Sequence, residues 1–88
     1  MYKVEFSAKA AKIYFKLPNN IKHLIDVKLG QVAENPYAKH SNAKSLKNTQ
    51  GCYRLRIGDW RIIYEIANQT LKIYVIMIGQ RKDVYRGI

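Results

Sequence analysis

The run Cys52-Tyr-Arg-Leu-Arg-Ile-Gly-Asp-Trp-Arg-Ile-Ile-Tyr-Glu-Ile66, followed after Ala-Asn-Gln-Thr by Leu71-Lys-Ile-Tyr-Val-Ile-Met-Ile-Gly79, decides the fold. β-branched and aromatic residues dominate Cys52–Ile57, Trp60–Ile66 and Leu71–Ile78, and the polar pairs Gly58-Asp59 and Asn68-Gln69 separate them. Three consecutive antiparallel strands are predicted. A two-residue loop at Gly58-Asp59 sets Ile57 opposite Trp60, Leu55 opposite Ile62 and Tyr53 opposite Tyr64 on one side of the sheet. The other side then carries Arg56 opposite Arg61, with Arg54 one step along, opposite Ile63. A second hairpin folded at Asn68-Gln69 puts Ile66, Tyr64 and Ile62 opposite Leu71, Ile73 and Val75 on the apolar side and pairs Glu65 with Lys72 on the polar side. Both hairpins agree on which side is buried, and a one-residue slip would lose that agreement.

Two readings stand for the three arginines. They are solvent-facing side chains of a half-exposed sheet, or they form a surface for an anion. Like charges facing each other across a strand pair destabilise by a few tenths of a kcal/mol up to about 1 kcal/mol. The Arg56–Arg61 juxtaposition therefore favours the anion site. Guanidinium groups are poor bases but good planar, bidentate clamps for phosphate. Arg81 follows the last strand and can reach the same face, where Tyr74 and Tyr85 add rings that can stack on a base. Cations interleaved with aromatics are what single-stranded RNA recognition requires.

Outward from the meander, Tyr2–Phe6 alternates Tyr2, Val4 and Phe6 inward with Lys3 and Glu5 outward, a short strand expected to join the sheet. Ser7 stands at an N-cap position before a helix over Ala8–Leu17. Pro18 ends it, and Asn19 or Asn20 is placed to cap a longer helix whose stripe is Ile21, Leu24, Ile25, Leu29, Val32 and Ala33. Asn35-Pro36 stops that helix. Tyr37–Gln50 is polar, basic and aperiodic, a predicted crossing loop with Leu46 tucked down. The sum is α+β: a strand, a helical pair, then a three-stranded meander, with both helices on one sheet face and one domain over residues 1–88.

Sixteen Lys and Arg against six Asp and Glu give a formal charge of +10, which points to polyanionic partners, nucleic acid or an acidic protein. No helix combines a basic face with a broad apolar one, so a membrane surface is disfavoured. No run approaches the ~20 apolar residues of a membrane span and none resembles a signal peptide. With a single cysteine, no internal disulfide forms. The expected setting is the cytoplasm. Cys52, His23 and His40 have no metal-ligand spacing and the five glycines make no phosphate loop, so no metal or small-molecule cofactor is expected. Both histidines read as solvated surface, and Cys52, with no neighbouring histidine to activate it, as a small strand residue.

Tyr-Arg-Leu-Arg at 53–56, Arg61 with Tyr64, Gly-Gln-Arg at 79–81 and Val84-Tyr85, in this order of elements, resemble the RelE branch of the RelE/ParE toxins of bacterial and archaeal toxin–antitoxin pairs. The likeness extends over essentially the whole chain. It implies mRNA cleavage in the ribosomal A site by attack of a ribose 2′-OH on the adjacent phosphate, which needs a base, positive charge on the developing phosphorane and an acid for the leaving oxygen. By resemblance Arg54 and Arg56 stand where the family often has two lysines, Arg61 at the phosphate-stabilising arginine, Arg81 at the arginine assigned to the leaving group and Tyr85 at the tyrosine that orients the substrate. Lys44, Lys47, Tyr74, Lys82 and Arg86 flank these as RNA-binding positions. The arginines keep the charge of the family's lysines but not their capacity as a base, which shifts the expected catalysis toward electrostatics, Tyr85 and ribosomal groups that hold the 2′-OH in line. After Tyr85 there is room for at most one turn of the C-terminal helix that many relatives carry. The implied partners are the ribosome with its mRNA and a cognate acidic antitoxin, a partly disordered peptide that wraps the domain.

Two other functions stay open at this point: a ParE-like toxin that binds DNA gyrase, and a non-catalytic RNA- or ribosome-binding module. The assembled arginines and tyrosine argue against the first.

Overall fold

Gly58 turns the first hairpin. The computed structural model describes residues 1–40, 42–47, 49 and 51–80. In it Gly58 has φ +58° while Asp59 does not enter the positive-φ region, the pattern of a type II′ loop, whose twist matches that of the flanking strands. The elements are β1 (Lys3–Phe6), α1 (Ala8–Phe15), α2 (Asn19–Glu34), β2 (Ala43–Ser45), β3 (Cys52–Ile57), β4 (Trp60–Ala67) and β5 (Lys72–Gln80). They build one five-stranded sheet in the order β1-β5-β4-β3-β2, with β1 parallel to β5 and the other pairs antiparallel.

The first hairpin holds the register expected of it: Ile57 faces Trp60, Leu55 faces Ile62, Tyr53 faces Tyr64, Arg56 faces Arg61 and Arg54 faces Ile63. The second does not. Ile66 faces Ile73 and Glu65 faces Tyr74, two residues along from expectation, because the loop runs through Leu71, which takes a left-handed φ of +53°. Glu65 therefore does not pair with Lys72. The Lys72 ammonium sits 2.6 Å from the Glu5 carboxylate on β1 instead. Farther along, Ile63 faces Met77 while Tyr64 faces Val75, so Ile76 is an extra residue in β5, a β-bulge. The bulge turns Met77 to the arginine side and Ile78 to the core. Ile63 and Met77, 0% and 8% exposed, form a small second cluster there with Leu46 and Cys52.

Ser7 ties this bulge to the first helix. Its Oγ accepts from the Ala10 N–H at 3.1 Å as the N-cap and donates to the Ile76 carbonyl at 2.7 Å. The second helix begins differently from expectation. Asn19 and Asn20 lie inside it, and the cap position is Pro18, which offers no side-chain bond.

The main core joins Ala10 of α1 and Ile25, Leu29, Val32 and Ala33 of α2 to Leu55, Ile57, Ile62, Tyr64, Ile73, Val75 and Ile78, so both helices cover one face of the sheet. Leu24, read into the buried stripe, is 46% exposed. The segment 37–50, expected to be a loop throughout, contains β2. Three residues are too few to leave a period in sequence, and only pairing with β3 reveals them: Ala43 faces Leu55, Lys44 faces Arg54 and Ser45 faces Tyr53. Leu46 is half-buried as expected. Among the described residues no helix is long and apolar enough to cross a membrane.

Candidate nucleic-acid interface

The register lays the face opposite the helices out in rows. Cys52, Glu65 and Tyr74 make one row, Arg54, Ile63 and Met77 the next, and Arg56, Arg61 and Gly79 the third. β2 extends the middle row by setting Lys44 beside Arg54. Asn42 extends the last, since its carbonyl accepts from the Arg56 N–H at 2.9 Å. Asn42, Lys44, Arg54 and Arg56 together line a cleft of about 150 Å³ at the β2–β3 edge. Three cations and an amide around so small a volume are complementary to one phosphate-sized anion with hydrogen-bonding oxygens.

Arg61 stands at the third row, but its guanidinium is drawn toward the turn. Nη1 donates to the Gly58 carbonyl at 2.9 Å and to the Trp60 carbonyl at 3.1 Å. It therefore borders the cleft from β4 without lining it. Its side chain is half-buried and that of Arg56 exposed, so the facing pair is relieved by splaying. Tyr74 shares the sheet face but not the cleft. It is half-buried in the Glu65 row, across the Ile63–Met77 patch from Arg56, and Glu5 of β1 is its other neighbour. Lys47 is exposed just past β2. Arg81, Lys82, Tyr85 and Arg86 lie outside the described residues.

Sequence reasoning missed Asn42 altogether, because an amide in an aperiodic loop carries no signal until β2 pairs. His40, read as solvated, is half-buried, and its Nε2 donates to the Asn35 carbonyl at 2.8 Å.

The tyrosines beneath the face are structural. Tyr64 is 1% exposed and stacks on Tyr53 with ring centroids 5.4 Å apart. Burial first, and the neighbouring Tyr53 second, push its phenol up to about 12. Tyr14 is likewise pushed up to about 12, chiefly by donating its proton to Asp26 Oδ1 at 2.7 Å.

Helices on one side of a small sheet, cations on the other and a phosphate-sized cleft at its edge define a small basic α+β domain with an open cationic face. The family model described as the ParE toxin of the type II toxin–antitoxin system parDE matches residues 4–85. The mRNA interferase toxin RelE of Escherichia coli is 28% identical over 88 residues, covering 96% of this chain and 90% of the relative. The toxin RelE of Mycobacterium tuberculosis is 31% identical over 87 residues, covering 97% of this chain and 87% of the relative. The intact E. coli RelBE toxin–antitoxin complex contains a chain that superposes with a TM-score of 0.80 at 24% identity, covering 93% of this chain and 99% of that one, a likeness of fold. The chain belongs to the ParE toxin family of type II toxin–antitoxin systems, and within the RelE/ParE superfamily it is RelE-like.

Proposed function

We propose that this chain is an mRNA interferase: a toxin that cleaves mRNA in the ribosomal A site by driving a ribose 2′-OH onto the adjacent phosphate. The observation that carries the reading is the cleft of Lys44, Arg54, Arg56 and Asn42, placed on the open sheet face of a chain whose relatives include toxins named mRNA interferases. Two guanidiniums and an ammonium hold the scissile phosphate and stabilise the charge that grows on its oxygens in the transition state. Arg61, anchored on the turn carbonyls, meets the same charge from the β4 side. Among the described residues Lys44 is the one amine lining the cleft, so it is the lining group there able to exchange a proton, which the guanidiniums do not do readily. Arg81 serves the leaving oxygen and Tyr85 orients the substrate, roles taken from the family resemblance. The ribosome supplies alignment of the 2′-OH.

The partner that silences the toxin is a cognate acidic antitoxin, as the E. coli relative is held in a RelBE complex. A charge of +10 suits a peptide rich in carboxylates. The compartment of action is the cytoplasm, and all of this resides in one domain.

Toeprinting on translating ribosomes is the test. Breaks within the A-site codon are the expected result, and ribosomes that stall or run with intact mRNA would overturn the reading. A second reading, gyrase inhibition, draws on the ParE description of the matching family model. Loss of supercoiling activity with mRNA intact would establish it instead.

A further inference from the structure

A larger cavity, of about 290 Å³, opens on the other side of β3 from the cleft, between α2, the segment after it and the sheet. It is lined by Lys28, Gln31 and Val32 of α2, by Lys39, His40 and Asn42, and by Leu55 of β3. Its volume is close to the lower end, about 300 Å³, of the range typical of small-ligand sites. Among the described residues, three basic side chains stand on its wall and no carboxylate does, while Val32 and Leu55, each 1% exposed, close its floor. The His40 ring is fixed, since a carbonyl can only accept and Nε2 must therefore carry the proton given to Asn35. Its Nδ1 is the nitrogen left for a ligand.

Two features say what such a cavity takes. Gln31 and Asn42 bring side-chain amides, each with a donor and an acceptor, the pairing that reads the edge of a nucleobase. Asn42 also lines the arginine cleft, and Leu55 stands between Arg54 and Arg56 in the chain with its side chain on the opposite face. The two cavities thus meet around the start of β2, the free edge of the sheet.

We infer that the Lys28–Lys39–His40 cavity is a second nucleotide subsite, occupied by a nucleotide farther along the same RNA strand than the three that a trinucleotide places at the arginine cleft. Resting on the nuclease reading, it extends the substrate contact from one phosphate to a short oligonucleotide. Lys28 and Lys39 meet the phosphate, and the amides meet the base over the apolar floor. An acidic peptide would satisfy the lysines too, but the wall that Asn42 shares with the phosphate cleft favours the strand that the cleft already holds.

The experiment measures binding of 5′-fluorescein-labelled, fully 2′-O-methylated RNA, which is not cleaved, by the intact chain through fluorescence anisotropy. A trinucleotide and a hexanucleotide are compared across a salt series. The wild type should bind the hexamer at least about tenfold more tightly, with a log–log salt slope steeper by about 0.7, the value for one further neutralised phosphate on a single strand. Lys28→Ala/Lys39→Ala should erase both differences and leave trimer binding unchanged. Arg56→Ala should weaken both oligonucleotides alike. Equal binding of the two lengths by the wild type, no saturable binding of either, or a length advantage that survives in the double variant would each overturn the subsite. A double variant that keeps the advantage but loses affinity for an acidic peptide or for ribosomes would assign the cavity to those ligands and overturn it too. Its failure is separable from that of the nuclease reading, which falls only if wild-type toeprints show intact A-site codons. Unchanged thermal melts of the double variant, both of whose side chains are at the surface, exclude misfolding.

Discussion

Removing the Ser7 hydroxyl should cost more than a helix cap. The Oγ caps α1 through the Ala10 N–H and also gives its proton to the Ile76 carbonyl, the residue that β4 leaves unmatched at the bulge. A lost cap costs about 1 kcal/mol. Leaving a part-buried carbonyl without its donor costs about 1 kcal/mol more. Ser7→Ala should therefore destabilise by about 2 kcal/mol, which in a domain of this size lowers Tm by about 8–16 °C. Urea denaturation followed by circular dichroism measures it. Two further variants divide the loss. Ser7→Thr keeps both bonds and should stay close to wild type. Ser7→Asp keeps the acceptor that caps Ala10 but has no proton for Ile76, and should fall short of wild type by at least about 1 kcal/mol. If Ser7→Asp matched wild type, the bulge would be held by packing alone and the reasoning would be refuted. The functional stake is that the bulge decides which face Met77 takes and brings Gly79 opposite Arg61.

Arg61→Ala should abolish A-site cleavage and growth inhibition while shifting the urea midpoint by less than the equivalent of about 1 kcal/mol, because its bond to Gly58 is exposed and its bond to Trp60 only part-buried; a fully toxic variant would remove Arg61 from the site. Arg54→Lys keeps the charge and adds an exchangeable proton, so cleavage rates on programmed ribosomes should be preserved or raised, and complete loss would mean that the planar fork itself is required. Leu71→Asn should raise the urea midpoint by the equivalent of about 0.5 kcal/mol, since asparagine tolerates a φ of +53° and the leucine is 53% exposed; a lowered midpoint would show that the leucine side chain is needed where it stands. Stability should fall as pH rises from 10 toward 12, because the unfolded chain loses its phenol proton near the ordinary value of 10 while folded Tyr64 holds its proton to about 12. That contribution, on the order of 2 kcal/mol, is complete below pH 10, and Tyr64→Phe should flatten the alkaline limb of the curve.

Legibility in the sequence followed the strength of local signals. Gly58-Asp59 names both a turn and its length, so every pair of the first hairpin could be read, Arg56 opposite Arg61 included. The second hairpin slipped by two because Leu71 adopts a conformation that leucine does not advertise, and the Ile76 bulge has no glycine to mark it. A shift of two keeps side chains on their faces, which is why the buried side was still right as far as Val75. Beyond it the bulge reversed Met77 and Ile78. The cleft was legible in part. Arg54 and Arg56 carry it and were named, as was Lys44, but Asn42 joined only when β2 paired with β3. Arg61 was placed on the correct strand and face, yet the pull of the turn carbonyls on its guanidinium is a tertiary fact.

β1 lies against β5, with Lys3 in register with Lys72, so β1 finds its neighbour only after both helices and the strands between them have been made. Pairing across so long a stretch is slow to nucleate and waits on the synthesis of β5. A nascent copy whose β5 has not yet emerged therefore lacks the β1–β5 pairing, and the five-stranded sheet is assembled only after β5 has been made.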